Sequence, residues 1–256
     1  MTYLQLPIRE SKPRRNGRSI LVDPGLSARH FQDVMESFGE YIDLVKFGWG
    51  TALVTRGLND KISVLKNART GFFFGGTLFE KSVVQGRFDK YREFCHAHGA
   101  RHVEVSNGVI DLTREEKAGF INKLAAEFEV LAEVGFKDGS RSELHSPSQW
   151  IDDIHADLGA GAHLVILEAR ETGSSGICRP DGRLRFGLIE EILNAPVDVS
   201  RLVFEAPTKT LQSYFIQRVG PDVNLGNISA ADVIALETLR LGLRADTFSE
   251  IGGSLR

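Results

Sequence analysis

Eight short apolar runs rich in β-formers alternate with helical segments along this chain, and that alternation limits the fold more than any other feature. Strands are predicted at Ser19–Val22, Ile42–Phe47, Gly71–Phe74, His102–Val105, Val130–Val134, Leu164–Leu167, Leu202–Phe204 and Val223–Leu225. Between and after them the spacing predicts helices at Ala28–Phe38, Leu58–Asn67, Phe88–His98, Arg114–Glu127, Pro147–Leu158, Leu184–Leu193, Leu211–Val219 and Ala230–Leu241. Thr113-Arg-Glu-Glu116 and Ser146-Pro-Ser-Gln149 read as capping boxes, the second with proline at the tolerated first helical position; Ser229-Ala-Ala-Asp232 is a looser version.

Such alternation implies a parallel sheet, and eight repeats in 256 residues fit a closed (β/α)8 TIM barrel better than an open doubly wound sheet. A seven-stranded barrel is the variant expected if the weak last strand fails. No linker divides the chain, so residues 1–256 are expected to form one domain, with residues 1–17 a polar N-terminal arm or barrel cover. No Gly-x-Gly-x-x-Gly fingerprint follows the first strand, and no P-loop occurs.

Four of the runs end on a glutamate: His102-Val-Glu104-Val, Val130-Leu-Ala-Glu133-Val, Leu164-Val-Ile-Leu-Glu168 and Leu202-Val-Phe-Glu205. A carboxylate at the end of an apolar strand must be paired, protonated or bound to a metal, since isolated burial costs several kcal/mol or more. A barrel's working face lies at its strand C-termini, and structural barrel layers favour Val, Ile and Leu. Oxygen-only ligands suit Mg²⁺. The same face is expected to carry Asp23, Lys46, the Gly75-Gly76-Thr77 turn, Glu80, Ser106, Asn107, Lys137, Asp138, Arg170, Glu171, Lys209, Asn224 and Asn227. Glycine turns after strands two, three and eight could offer backbone N–H groups to a phosphate, helped by a helix starting near Ser229. Ion pairing with Lys46, Lys137, Arg170 or Lys209 is the structural alternative for any one of the acids. The histidines are expected in packing or surface roles, with His102 and His163 at the opposite face.

A net charge of -3 with charged residues at 25% gives no basic excess, so neither a nucleic acid nor an anionic membrane is an expected partner; a small molecule is. No run approaches the roughly 20 apolar residues of a membrane span, and the polar start lacks a signal peptide's pattern, so a cytoplasmic location is expected. Cys95 and Cys178 fit no metal spacing and are expected to be free thiols.

Taken together, the blocks Tyr41-Ile-Asp-Leu-Val-Lys-Phe-Gly-Trp-Gly-Thr51, Gly75-Gly-Thr-Leu-Phe-Glu80, Glu133-Val-Gly135, Glu168-Ala-Arg-Glu171, Phe204-Glu-Ala-Pro207, Val223-Asn-Leu-Gly-Asn-Ile228 and Leu236-Glu-Thr-Leu-Arg-Leu-Gly-Leu-Arg-Ala-Asp-Thr-Phe248 resemble the phosphosulfolactate synthase family across nearly the whole chain. The resemblance implies a (β/α)8 enzyme that joins sulfite to phosphoenolpyruvate with Mg²⁺, on the route to coenzyme M. It implies an enolate-type intermediate that a lysine protonates. Lys137 is the expected acid, with Glu133 and Arg170 also catalytic, and Glu104, Glu168 and Glu205 are the expected metal ligands. Asp23, Lys46, Gly75, Gly76, Thr77, Ser106, Asn107, Lys209, Asn227, Arg240 and Arg244 are expected to bind the phosphorylated substrate and the anionic nucleophile. A homo-oligomer is left open.

Three positions depart from the family pattern, all expected at the mouth. Asp23-Pro24-Gly25 replaces Asp-Lys-Gly, Gly135-Phe136-Lys137 stands where two successive lysines are common, and Ser106-Asn107-Gly108 replaces Ser-Asp-Gly. They motivate an alternative in which the same enolate chemistry serves another nucleophile or phosphorylated substrate. A further alternative is a non-catalytic, stress-related homologue, as plant relatives of the family are associated with heat tolerance.

Overall fold

In the computed structural model, which describes residues 3–248 except Glu171, the apolar runs form β1 Ser19–Asp23, β2 Leu44–Phe47, β3 Gly71–Phe74, β4 His102–Val105, β5 Glu129–Val134, β6 Leu164–Leu167, β7 Leu202–Glu205 and β8 Leu225–Ile228. All seven ladders are parallel, in the order β3-β2-β1-β8-β7-β6-β5-β4. Among the described residues no ladder joins β3 to β4, yet the two strands lie side by side: a Cβ on Gly71 would stand 2.8 Å from His102 Cε1. The sheet is a nearly closed (β/α)8 barrel, as expected from the alternation.

The outer layer consists of α1 Ala28–Phe38, α2 Leu58–Asn67, α3 Gly76–Val84, α4 Phe88–His98, α5 Arg114–Ala125, α6 Gly139–Leu144, α7 Pro147–Gly159, α8 Phe186–Asn194, α9 Lys209–Val219 and α10 Val233–Arg240. Both expected capping boxes form, Thr113 with Glu116 and Ser146 with Gln149. Two helices were not expected. α3 opens on two glycines that read as a turn, and α6 is too short to show a period. The last strand sits two residues later than expected, at Leu225–Ile228, and pairs with β1 across an irregularity.

Alternation along the strands divides the apolar residues into two cores. Ile20, Leu44, Phe73, Leu131, Leu164, Ile166 and Val203 fill the barrel interior, while their sequence neighbours pack against the helices. Parity corrects one expectation. Because Val22 faces inward, Asp23 faces the helix layer, where it is fully buried against Lys61 of α2 at 2.6 Å and accepts the N–H groups of Gly25 and Leu26. It fastens the strand-one turn and does not face the mouth.

The strand N-termini form the opposite end, which the arm covers. Arg9 reaches Glu237 and Asp222, Lys12 donates to Gly39 O and Thr70 Oγ1, and Arg14 pairs with Asp43 at 3.2 Å. Arg240 also lies at this end. Its buried guanidinium donates to the Pro221 and Val223 carbonyls, so it is not a substrate ligand. Asn224, expected at the mouth, bridges Ser200 O, Leu202 O and the Arg18 N–H here, because it precedes β8. Arg244 follows the end of α10 and does not line the mouth cavity.

Removing one partner of a buried ion pair strands the other charge. Lys61→Met is therefore expected to lower the unfolding free energy by about 3–5 kcal/mol. Adding Asp23→Asn, which removes the stranded charge while its amide oxygen can still accept the Gly25 and Leu26 N–H groups, should restore most of it, as measured by urea denaturation of the single and double variants.

Candidate active site

The topmost inward layer of the barrel is polar where aliphatic side chains would ordinarily close it. Lys46 from β2, Glu104 from β4, Glu133 from β5, Glu168 just after β6 and Glu205 from β7 all point inward, and each carboxylate is buried. Lys46 Nζ sits among them, 3.1 Å from Glu104, 3.6 Å from Glu133 and 3.4 Å from Glu205. Burial would strip its proton, but Glu104, Glu205, Glu133 and Glu168 together hold its pKa well above that of an ordinary lysine.

The acids separate by environment. Burial pushes Glu104 up to about 7 against the pull of Lys46. Burial also raises Glu168 well above the carboxylate range, and Glu133 and Glu205 push it the same way; Glu205 is raised by burial too. Glu133 goes the other way: burial alone would raise it, yet Lys137 and Lys46 outweigh that and hold it at about 2. Lys137 Nζ approaches Glu133 to 3.9 Å, and this carboxylate raises the lysine above its ordinary value.

Local backbone places these groups. A Cβ on Gly135, at φ +124°, would fall 2.7 Å from Trp150 and 2.8 Å from the Glu168 Cβ, so glycine allows Glu168 to stand beside Glu133. Gly76 likewise lets the start of α3 approach β4. Its N–H donates to Glu104 Oε1 at 2.9 Å, and an added Cβ would lie 2.1 Å from Ser106 Oγ. Ser106 is buried beneath the mouth and donates to Glu80, which also accepts the Val109 and Ile110 N–H groups and so secures the loop after β4.

Above this layer Gly75, Gly76, Thr77, Lys137, Arg170 and Asn227 line a narrow cavity with Trp49. Only about 30 Å³ of it admits water centres, room for about two waters. Trp49, Arg170 and Asn227 hold left-handed backbone, φ 50°, 58° and 55°. Sparsely populated conformations of this kind cluster at ligand sites. In sequence Trp49 is only part of a glycine turn, and an indole flanked by two glycines is the one signal that singles it out.

Lys209 does not join the site: it pairs with Asp246 at 2.7 Å along the outside of α9. Asn107 lines a separate cavity between α5 and α7. Asp138 caps α6 by accepting the Arg141 N–H. Glu171 lies outside the described residues.

The metal-ligand expectation also changes in one member. Glu133, Glu168 and Glu205 bring one oxygen each within 4.8 Å of one another, whereas Glu104 is engaged with Gly76 and Lys46. Both Glu133 oxygens are buried with no N–H or hydroxyl donor among the described residues: Lys46 and Lys137 stop at 3.6 Å and 3.9 Å, which leaves the neighbouring Glu168 and Glu104 carboxyls, when protonated, as the groups able to donate to it. Three hard oxygen donors this close together, with both Glu133 oxygens lacking a hydrogen-bond partner, fit a divalent cation such as Mg²⁺, after the carboxylates draw in toward the roughly 4.2 Å span that about 2.1 Å bonds allow.

The three departures from the family pattern fall away from this cavity. Pro24 lines an outer depression with Thr51, and Phe136 packs on His145, with Arg141 stacked on its ring at 4.3 Å. Phe136 and Asn107 both belong to the α5–α7 cavity.

A (β/α)8 barrel with a buried carboxylate cluster and two ammonium groups at its strand C-termini has the layout of a barrel enzyme. The relatives are consistent with that class. The chain is 50% identical over 245 residues to a phosphosulfolactate synthase of Bacillus subtilis, covering 96% of this chain and 97% of the relative. It is 38% identical over 250 residues to the phosphosulfolactate synthase of Methanothermobacter thermautotrophicus, covering 96% of each. In fold it resembles a 3-hexulose-6-phosphate synthase of Salmonella typhimurium, with a TM-score of 0.55, 15% identity and coverage of 89% of this chain and 100% of that one. Residues 7–246 match the (2R)-phospho-3-sulfolactate synthase (ComA) family, and the chain belongs to it.

Gly76→Ala gives a test of the floor. The added methyl would displace Ser106 and press on Glu104 Oε1 at 2.7 Å. We expect turnover to fall by about an order of magnitude or more, with a circular dichroism spectrum like that of the parent. Parent-like turnover would show that the Glu104 contact is dispensable.

Proposed function

We propose that this enzyme adds sulfite to phosphoenolpyruvate, giving (2R)-phospho-3-sulfolactate. The observation that carries the reading is the pairing of a buried carboxylate cluster with the two lysines, Lys46 and Lys137, in one cavity of a chain of this family.

The sulfur lone pair of sulfite would attack the methylene carbon, and the π electrons of the double bond would move into conjugation with the substrate carboxylate. Negative charge therefore grows where the mouth presents cations. Glu133, Glu168 and Glu205 would hold Mg²⁺, which as a Lewis acid offsets the charge on the enolate-type carboxylate. Lys46 keeps its proton among the acids and adds a fixed positive charge from below. Lys137, protonated and partly exposed at the rim, would deliver a proton to the carbon bearing the phosphate, completing the addition. Arg170, Asn227 and the start of α3 at Thr77, which line the cavity, would hold phosphate or sulfite.

The altered-nucleophile alternative drew on Pro24, Phe136 and Asn107, none of which lines the mouth cavity, so it has no support from the site.

Phosphorus NMR of the purified enzyme with phosphoenolpyruvate, sulfite and Mg²⁺ tests the reading. A new phosphate-ester resonance that needs both enzyme and sulfite is expected, and an unchanged phosphoenolpyruvate signal would refute it. Lys137→Ala should reduce turnover by about 10²-fold or more with the fold intact, as for loss of a general acid; near-normal turnover would remove Lys137 from the mechanism. Glu168→Gln should raise the Mg²⁺ concentration needed for half-maximal turnover while leaving thermal stability in EDTA unchanged or higher, because it replaces a carboxyl that burial already disfavours in its charged form.

A further inference from the structure

We propose that the end of the barrel opposite the active site carries a second anion site, for a small molecule bearing two or more phosphate or carboxylate groups. A cavity of about 500 Å³ opens there between the N-terminal arm and the starts of β2, β3, β4 and β6. That volume suits a metabolite and far exceeds the space at the mouth.

Its charge runs against that of the chain. Lys12, Arg14, Arg18, Lys66, Arg69 and Arg101 line it, with only Asp43 and Glu129 as acids: six cations less two carboxylates leaves +4, with the imidazoles neutral, in a chain of net charge -3. Arg14 pairs with Asp43 and Arg101 with Glu129, whereas Lys66 and Arg69 have no carboxylate of the described residues within ion-pair distance. Burial lowers the pKa of both cavity histidines, and the surrounding cations Arg101 and Arg18 push His102 further down, against Glu129. A concave, like-charged wall of this kind concentrates anions.

Arg69 distinguishes the cavity from a row of ordinary helix ends. α2 and α4 both terminate here on a left-handed residue. α4 uses Gly99 at φ 72°, the residue that adopts this conformation freely, but α2 places Arg69 there at φ 51°. Lys66 reaches across to Gly99, its Nζ 3.6 Å from where a Cβ on that glycine would stand, so the two cations flank one opening. Attraction to a helix C-terminus accounts for Lys66. It does not account for an arginine where glycine is the easier choice. A guanidinium fork is well matched to phosphate and carboxylate oxygens.

Arg69→Gly removes the guanidinium while keeping, or easing, the cap. Isothermal titration with inorganic pyrophosphate in metal-free buffer reads the site, and an Arg170→Ala background weakens anion binding at the mouth. We expect one-site binding that persists in Arg170→Ala, weakens tenfold or more in both Arg69→Gly and Lys66→Ala, and leaves the melting temperature of Arg69→Gly at or above that of the parent. No heat at millimolar pyrophosphate, binding unchanged in the Arg69 and Lys66 variants, or binding lost with Arg170 alone would each overturn the proposal.

Discussion

Everything at the mouth depends on one ammonium group, that of Lys46, buried in the layer where a barrel normally keeps hydrocarbon. Four carboxylates around one point cannot all stay ionised without positive charge between them. Lys46 supplies part of it and Lys137 a second part from the rim. The remainder is met by protonation, which burial drives at Glu168 and Glu104, or by a bound cation. Glu133 is the member that burial does not protonate, because Lys137, Lys46 and the neighbouring Glu168 and Glu104 carboxyls together favour its charged form.

The scaffold holds this arrangement by placing expensive groups where backbone can satisfy them. Gly76 brings an N–H to Glu104, the Ala169 N–H reaches Glu205 at 3.0 Å, and Glu80 secures the loop after β4 without entering the cavity. Farther out, the Asp23–Lys61 pair ties α2 to β1 and the Lys117–Asp157 pair joins α5 to α7, each at 2.6 Å, with Lys117 also donating to the Glu133 carbonyl of β5. Stability and site preparation therefore share one device: a buried charge made tolerable by a partner held on a neighbouring element.

The eight-fold alternation and the strand-end glutamates were legible because both are local: a β run, a turn and an acid in succession. Side-chain direction was legible only where parity was followed. Glu133 and Lys137, four apart, do meet at the cavity, whereas Asp23, one step from inward Val22, faces outward. Arg240 and Lys209 were misplaced because a helix ends at the far side of the barrel and a long side chain can run down its outer face. The start of β8 was misjudged by two residues, since Val223-Asn-Leu reads as a strand whichever side of the turn it occupies. The assignment of metal ligands among the four glutamates depends on distances across the barrel, for which sequence spacing has no counterpart.

The central claim is that Glu133, Glu168 and Glu205 form a divalent-cation site above Lys46. A crystal structure of the enzyme grown with Mn²⁺, read at the manganese absorption edge, tests it most directly. The account predicts an anomalous peak among those three carboxylates, with Glu104 still on the Gly76 N–H. An active enzyme whose manganese lies elsewhere, or whose three carboxylates hold no ion at saturating Mn²⁺, would contradict it.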